Sequence, residues 1–404
     1  MSNLFRLFLQ ALSIVTLQLS LSACDTWMYS SLSPSTATDA ISSQPQSNQA
    51  LADWNYNELE HALPIYEAAA LNPWGSLPME IKLKPGDRNR AILILRNHLR
   101  TIGDLKADDD NELILYDHQL VKAVKHFQAR NGLYPDGIIG PATISALNIT
   151  PAERLRQIQV NLQRWAKLSN TLGERYIMVN VPEYRMYLVD HGQTVLSMKA
   201  VVGKPERPTP ELTSTMTRLV LNPYWNVPKT IAEKDIVPKV IHNPDYLDDM
   251  HIKIFDQQED DAIEMSPDEV DWEEAATDGF RYHFRQDPGN DNALGRVKFE
   301  FQNSLDIYMH DTPAKNLFDL PKRAFSSGCI RLEKPFELVS YLMQDDPKWS
   351  EEMMQAILDT GRTSYIKIPH PTKVIITYVT VWSDTDGNLQ FRDDLYGWDT
   401  NLTE

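Results

Sequence analysis

Two hydrophobic periodicities divide the chain near residue 175. Before that point apolar residues recur every three or four positions, which is the spacing of a helix with one buried face. The spacing of Leu51, Trp54, Leu59, Leu63 and Tyr66 predicts a helix at residues 51–70, within a helical scaffold segment at residues 51–86. Further spacing of this kind predicts a small three-helix unit at residues 87–149 and a linker helix at residues 150–174.

Beyond residue 175 apolar and polar residues alternate, which is typical of half-buried strands. This alternation predicts strands at 176–181, 185–189, 195–202, 216–221, 297–301 and 305–309, followed by a hairpin of 372–382 with 389–392. Helices are predicted to begin at Pro335 and Ser350. We therefore expect an α+β chain in which a mostly β domain spans residues 175–404.

A segment rich in acidic residues interrupts the strands at about residues 230–294. Residues 256–278 contain eleven Asp or Glu and no Lys or Arg. The regular oxygen-ligand spacing of a calcium loop is missing. The favoured interpretation of this run is a solvated helical face.

Composition limits the possible partners and cofactors. The formal net charge of −17 argues against binding nucleic acid or an anionic membrane through a basic patch. No metal-ligand or phosphate-loop spacing occurs, so we expect neither a metal nor a cofactor. The chain has two cysteines, Cys24 and Cys329, which in an exported protein could form a disulfide unless Cys24 has another fate.

Residues 1–23 have the pattern of an export signal, with a thin positive start, a short apolar run and small residues at the end. The final Leu21-Ser22-Ala23-Cys24 resembles a bacterial lipobox, which implies acylation of Cys24 and attachment to a membrane. By the same resemblance Asp25 favours the inner membrane of the cell envelope, facing the periplasm. An ordinary cleaved signal is the alternative. Residues 24–50 are polar and predict a flexible tether.

Residues 307–335 carry the candidate chemistry. Alternation places His310 near the end of a strand, and a Ser-Ser-Gly turn then presents Cys329 ahead of a helix that begins at Pro335. A helix start and the cation of Arg331 would both lower the pKa of the thiol. His310 could accept the thiol proton and produce a nucleophile at neutral pH.

This segment resembles the active-site motif of bacterial L,D-transpeptidases, especially their large multidomain branch, through His310, Ser326, Gly328, Cys329, Ile330 and Arg331. One departure is Ser327, which stands where the motif usually has His. A second resemblance, to the helical peptidoglycan-binding domain, rests on Phe127-Gln128, Gly132-Leu133, Asp136-Gly137, Gly140-Pro141, Thr143 and Ala146-Leu147.

The first resemblance implies a two-step acyl transfer. Cys329 forms a thioester with a tetrapeptide stem, and an amine of a neighbouring stem then takes the acyl group in a 3-3 crosslink. His310 serves as base and acid, held by a backbone carbonyl. Asp311 is a poor third member because adjacent residues point to opposite strand faces.

Other site residues follow from the same comparison. The oxyanion site is expected at the backbone N–H groups around Ser327, Gly328 and Cys329, with Ser327 and Gly328 at its centre. Candidate substrate contacts are Tyr308, Arg331, Trp225 and Ser326, of which the first three could equally be packing residues. The acidic insertion is expected to be a lid. Peptidoglycan stems and glycan are the expected partners, and we expect a monomer.

Alternatives to crosslinking remain open at this point. An inert buried thiol is disfavoured because Cys329 follows a polar turn. A papain-like endopeptidase normally has Cys before His in sequence, whereas His310 precedes Cys329. A non-catalytic tethering lipoprotein would not need this pair. Water could replace the acceptor amine, which would make the chain an L,D-carboxypeptidase.

Overall fold

The computed structural model describes residues 48–106, 113–258, 261–277 and 279–400. The predicted signal, Cys24 and residues 24–47 of the predicted tether lie outside the described residues. Residues 48–50, which we expected in the tether, begin the first helix instead. Within the described ranges, no helix is long and apolar enough to cross a membrane.

The N-terminal half is helical, as the spacing predicted, and the small domain it contains is closed by its own core. Its helices are α1 (Asn48–Ala70), α2 (Ala91–Thr101), α3 (His118–Arg130), α4 (Pro141–Asn148) and α5 (Pro151–Ser169). Asp117 caps α3 by accepting a hydrogen bond from the Leu120 N–H at 2.9 Å. The apolar faces of α2, α3 and α4 meet in one core that includes Ile92, Leu95, Leu120, Val124, Phe127 and Ile144.

Long strands then begin a second domain, with β1 (Arg175–Asn180), β2 (Arg185–Asp190), β3 (Gln193–Gly203) and β4 (Leu212–Leu221). The two faces of β1 pack into different cores. Ile177 and Val179 point into the main core, whereas Tyr176 and Met178 pack in a second core with residues of α1 and α5. Helices α1 and α5 therefore cover the outside of this sheet.

The acidic insertion is built from short elements, and the predicted helical face is largely absent. They are β5 (Trp225–Asn226), α6 (Lys229–Ile231), α7 (Val237–His242), α8 (Tyr246–Asp249), β6 (Ile252–Phe255), β7 (Glu264–Met265), α9 (Trp272–Thr277) and β8 (His283–Gln286). Four of its strands form a small sheet in the order β5-β8-β6-β7. Among the described residues between 256 and 277, α9 and a 3-10 turn at Pro267–Glu269 are helical, and the rest of the acidic run lies in β7 and loops.

The remaining elements complete the main sheet and end in a separate hairpin. They are β9 (Val297–Phe301), β10 (Met309–His310), β11 (Ala324–Ser326), β12 (Ile330–Leu332), α10 (Pro335–Met343), α11 (Glu351–Asp359), β13 (Ser364–Thr377), β14 (Val381–Ser383) and β15 (Leu389–Phe391). The sheet order is β11-β3-β12-β10-β9-β4-β13-β1-β2, and β2 also pairs with β3. That extra pairing closes a barrel, and β11 extends it beside β3.

Among the strands whose bounds differ from the prediction, two end or begin where side chains bind the backbone. The Asn303 side chain accepts from the N–H groups of Leu305 and Ile307 at 3.1 and 3.0 Å, so that β10 begins only at Met309. After β13, Asn180 and Asn161 accept from the N–H groups of Val379 and Thr380. The predicted single strand of residues 372–382 therefore breaks, and within the described part of the chain β14 pairs with β15 alone.

Candidate active site

The register of two parallel strands brings the candidate residues together. In the β10–β12 pair, Met309 lies opposite Ile330, and His310 lies opposite Arg331. Met309 and Ile330 are fully buried in the main core. Because side chains alternate along a strand, Tyr308, His310, Cys329 and Arg331 face the other way. All four line one cavity of about 1030 Å³, together with Trp225 from the insertion.

His310 is buried, with 4% of its surface exposed, and is held by backbone. Its Nδ1 lies 2.5 Å from the carbonyl oxygen of Asp311, and since a carbonyl only accepts, Nδ1 carries the proton. Burial lowers the pKa of His310 to about 3, and the cations of Arg331 and Lys298 act in the same direction. The imidazole is therefore neutral at pH 7, with Nε2 unprotonated.

The Asp311 carboxylate is occupied elsewhere. It accepts from the Arg296 N–H at 2.9 Å and from Lys315 Nζ at 2.5 Å. The carbonyl of Asp311, rather than its carboxylate, thus orients the imidazole.

The expected helix effect on Cys329 is absent in the structure. Strand β12 separates Cys329 from α10, so the positive end of that helix does not lie at the thiol. Burial raises the pKa of the Cys329 thiol, and Tyr308, Lys298 and Arg331 only oppose that rise. The resting pair is therefore a neutral thiol and a neutral imidazole. The Cys329 Sγ lies 3.7 Å from the carbonyl oxygen of Asp306.

The turn before Cys329 is held from inside by Ser326. This serine is 2% exposed; its Oγ donates to the Cys329 carbonyl at 2.5 Å and accepts from the Gly328 N–H at 3.1 Å. Gly328 has φ 117°, which favours glycine. Ser326 therefore holds the turn, and because it also lines the cavity, the substrate contact expected at Ser326 stays a prediction.

The same contacts reduce the number of backbone N–H groups that could serve as oxyanion donors. Because Ser326 already binds the N–H of Gly328, that group is engaged. The N–H groups of Ser327 and Cys329 have no hydrogen-bond partner among the backbone contacts of the described residues. The Ser327 side chain is exposed and accepts from Arg207 at 2.9 Å.

Tyr308 and Trp225 form the wall beside the thiol. Tyr308, Trp225 and Cys329 line the same cavity, and burial raises the pKa of Tyr308 well above its usual value, with Cys329 acting in the same direction. The rings of Tyr308 and His310 meet edge to face at 5.6 Å between centroids. Both residues that we expected near the substrate are thus placed against the reacting pair.

Two cations at the site were missed from the sequence. Lys298 lies opposite His310 in the β9–β10 pair, and its Nζ stands 4.3 Å from the Tyr308 ring centroid. Arg285, in β8, packs over the Phe255 ring at 4.0 Å. The alternation along residues 297–301 could have predicted that Lys298 points away from the barrel core. Only the pairing of β9 with β10 shows that Lys298 lies beside His310.

The cavity lining is more basic than the chain as a whole. Its acidic residues are Glu233, Asp235 and Asp306, and its cations are Lys204, Lys229, Lys239, Arg285, Lys298 and Arg331. In a chain of net charge −17 this local excess of cations favours an anionic ligand.

Comparison with known proteins agrees with this geometry. Residues 174–376 match the family described as "L,D-transpeptidase catalytic domain". The chain belongs to the L,D-transpeptidase family. Residues 88–147 match a "Putative peptidoglycan binding domain", so both family resemblances in the sequence are confirmed, together with the α+β fold class.

Similar proteins have been described in several bacteria. A "Putative L,D-transpeptidase" of Haemophilus influenzae is 32% identical over 289 residues, which cover 70% of this chain and 56% of that relative. The chain thus spans little more than half of that L,D-transpeptidase's length. The N-acetylmuramoyl-L-alanine amidase CwlM of Mycobacterium tuberculosis is 40% identical over 72 residues, 16% of this chain and 18% of CwlM. The solved L,D-transpeptidase 3 of Mycobacterium tuberculosis is 14% identical with a TM-score of 0.24, and the match covers 50% of this chain and 61% of that one.

Proposed function

We propose that this chain crosslinks peptidoglycan stems by acyl transfer through Cys329. Its sulfur attacks the carbonyl of the L-centre in a tetrapeptide stem, and the bond to the terminal D-residue breaks. The D-amino acid leaves with a proton, and a thioester remains. An amine of a neighbouring stem then attacks the thioester, forms the 3-3 amide and releases the thiol.

The parallel register of β10 and β12 carries this proposal, because it sets a buried imidazole and a thiol on one face of one cavity. A pair that is neutral at rest must move its proton during attack. His310 Nε2 takes the Cys329 proton as the C–S bond forms, and then delivers it to the leaving amine. In the second step His310 removes a proton from the attacking amine.

Charge that develops on the carbonyl oxygen needs hydrogen-bond donors in the turn. The N–H groups of Ser327 and Cys329 are the candidates, since that of Gly328 is engaged. The proposal narrows the expectation from the sequence, which named Ser327, Gly328 and Cys329, by leaving out the Gly328 N–H.

Two cations flank His310 and are candidates to bind substrate carboxylates: Arg331 in β12 and Lys298 in β9. Arg331 Nε is buried and has no hydrogen-bond partner in the part of the chain that the structure describes. An unpaired buried donor that faces a cavity favours a ligand acceptor. We propose that Arg331 and Lys298 bind carboxylates of the donor stem, and that Trp225 and Tyr308 contact its backbone or side chains.

The insertion is proposed to act as a lid, because Trp225, Phe255, Phe284 and Arg285 form one wall of the cavity. A lid would exclude water and hold the acceptor strand. Deleting residues 256–278 should spare the barrel's folding but impair crosslinking. Full crosslinking by the deletion variant would rule out this role.

The helical domain of residues 88–147 is proposed to bind glycan strands and keep the chain on its substrate. We further propose that Cys24 is acylated and anchors a monomeric protein in the cell envelope, with its catalytic domain in the periplasm and the inner membrane favoured by Asp25. Metabolic labelling with a fatty-acid analogue tests this, because a Cys24→Ser variant should lose the label.

Product analysis tests the proposed reaction. The full chain and its Cys329→Ala variant are incubated with purified disaccharide-tetrapeptide, and the muropeptides are weighed by mass spectrometry. We expect a dimer that lacks one terminal D-residue in the first sample alone. Disaccharide-tripeptide without dimer would instead support the L,D-carboxypeptidase, which shares the thioester and differs only in its acceptor. Dimer formation by the variant would contradict the role of Cys329, and no product in either sample would favour the tethering lipoprotein.

A further inference from the structure

The loop at residues 203–209 lies against the turn at residues 326–329, here called the catalytic turn, and is hydrogen-bonded to it. Thr209 Oγ1 donates to the Gly328 carbonyl at 2.7 Å, and the Lys204 N–H donates to the Ser326 carbonyl at 3.0 Å. Thr209 also accepts from the Gly203 N–H at 2.8 Å. The loop therefore fixes the peptide groups on either side of Ser327.

This loop is itself rigidly held. The Tyr396 hydroxyl donates to the Gly203 carbonyl at 2.7 Å and accepts from the Thr209 N–H at 3.1 Å. A Cβ at Gly203 would clash with the carbonyl of Arg207, so only glycine permits so tight a loop. The backbone that carries the Arg207 side chain is therefore held in place by these contacts.

The Arg207 side chain joins two separate parts of the molecule. One nitrogen of its guanidinium donates to Ser327 Oγ at 2.9 Å. The same group forms an ion pair with both carboxylate oxygens of Asp235, one of them at 3.2 Å. Asp235 belongs to the π-helical segment Ala232–Ile236 of the insertion. A planar guanidinium suits such a two-sided contact, whereas an ammonium does not.

We infer that Arg207 is a positioning residue that couples closure of the insertion to the geometry of the catalytic turn. With the insertion closed, Asp235 holds the guanidinium where it binds Ser327, whose N–H is a candidate oxyanion donor. When the insertion moves away, Arg207 loses its carboxylate partner and the turn loses an outer support. The site is then complete only under a closed insertion. The kinetic part of this inference rests on the proposed function.

A double-mutant cycle tests the coupling in the full chain. Arg207→Ala and Asp235→Asn should each lower kcat for disaccharide-tetrapeptide about tenfold, and the double variant should fall no further, because both changes remove one interaction. Arg207→Lys should recover only part of the loss. The matched control is Arg281→Ala, which breaks an arginine–carboxylate pair with Glu274 in the same insertion. It should keep the wild-type kcat.

A second readout does not require transpeptidation. Alkylation of Cys329 by iodoacetamide, followed by mass spectrometry of its peptide, should be several-fold faster in Arg207→Ala and Asp235→Asn than in the wild type, because the insertion opens. Additive losses in kcat, or alkylation at the wild-type rate in both variants, would overturn the inference. A wild type inactive on the stem would contradict the proposed function alone, and alkylation would still decide on Arg207.

Discussion

The barrel and the insertion both line the cavity, but they are built in different ways. Barrel strands β3, β4 and β13 are 11, 10 and 14 residues long, whereas insertion strands have two to four residues. The reacting groups His310 and Cys329 belong to the barrel, and the insertion contributes walls and cations. Local stability follows the number of buried contacts, so we expect the barrel, which carries the proposed reacting groups, to be the more rigid part, and the insertion, proposed above as a lid, to open more readily.

The largest expected effect is a difference in stability between two variants, each of which removes one buried phenylalanine, from the barrel core or from the insertion core. Phe299 in β9 and Phe284 in β8 are 0% and 1% exposed. Phe299→Ala should lower the free energy of unfolding of the whole chain by about 3–5 kcal/mol, measured by urea denaturation. Phe284→Ala should leave that transition near wild type and speed hydrogen exchange in residues 225–286. Equal losses of unfolding free energy would show that barrel and insertion unfold as one unit.

The second effect concerns the base. His310→Gln should slow acylation of Cys329 by the stem about 10²- to 10⁴-fold, because the thiol loses its proton acceptor. Asp311→Asn is the matched control, since only the Asp311 carbonyl contacts the imidazole. We expect at most a few-fold change in that variant, measured by rapid quench and intact mass. A loss as large as that of His310→Gln would mean that the carboxylate takes part.

The third effect is a pH dependence of stability that arises in the barrel. The pKa of His310 falls from 6.5 to about 3 on folding, so between these values the unfolded chain binds more protons. The associated stability is present above pH 6.5 and is lost as the pH falls. The unfolding free energy of the wild type, relative to that of His310→Gln, should fall by about 2 kcal/mol when the pH is lowered from 7 to 5. An exposed insertion histidine gives the control, and His242→Gln should follow the wild type. A flat difference for His310→Gln would contradict a buried neutral imidazole.

The smallest effect compares one cation from each part. The charge of Lys298 helps to lower the pKa of both His310 and Cys329. Lys298→Gln should therefore reduce kcat/KM about tenfold. It should also move the acid limb of the pH profile of kcat/KM to higher pH. Arg285→Gln in the insertion should raise KM by a similar factor or less without moving that limb. Identical pH profiles for both variants would remove Lys298 from the electrostatics of the reacting pair.

Long regular elements could be predicted from the sequence because their pattern repeats. Alternation located β1 to β4 and β9, and helical spacing located α2, α3 and α5. The motif around His310 and Cys329 predicted a reacting pair, since the chemistry requires those residue types close together, and the structure places both residues at one cavity. Short elements have too few repeats for a period to show, and so the small sheet of the insertion was missed.

Contacts between distant segments could not be predicted, since they depend on strand pairing. Lys298 faces His310 only because β9 pairs with β10 in a particular register. The pKa of Cys329 was expected to fall, but the fold separates the thiol from α10, and partial burial raises its pKa instead. Asn303 shortened β10 through side-chain hydrogen bonds that periodicity does not register.

The most direct test of the account is the intact mass of the full chain after brief exposure to disaccharide-tetrapeptide, with peptide mapping of the product. Acyl transfer through Cys329 predicts a mass increase equal to the disaccharide-tetrapeptide minus one free D-amino acid, located on the Cys329 peptide and absent from Cys329→Ala. Release of the D-residue or formation of dimer with no adduct on Cys329, in an experiment quenched within the first turnover, would contradict it.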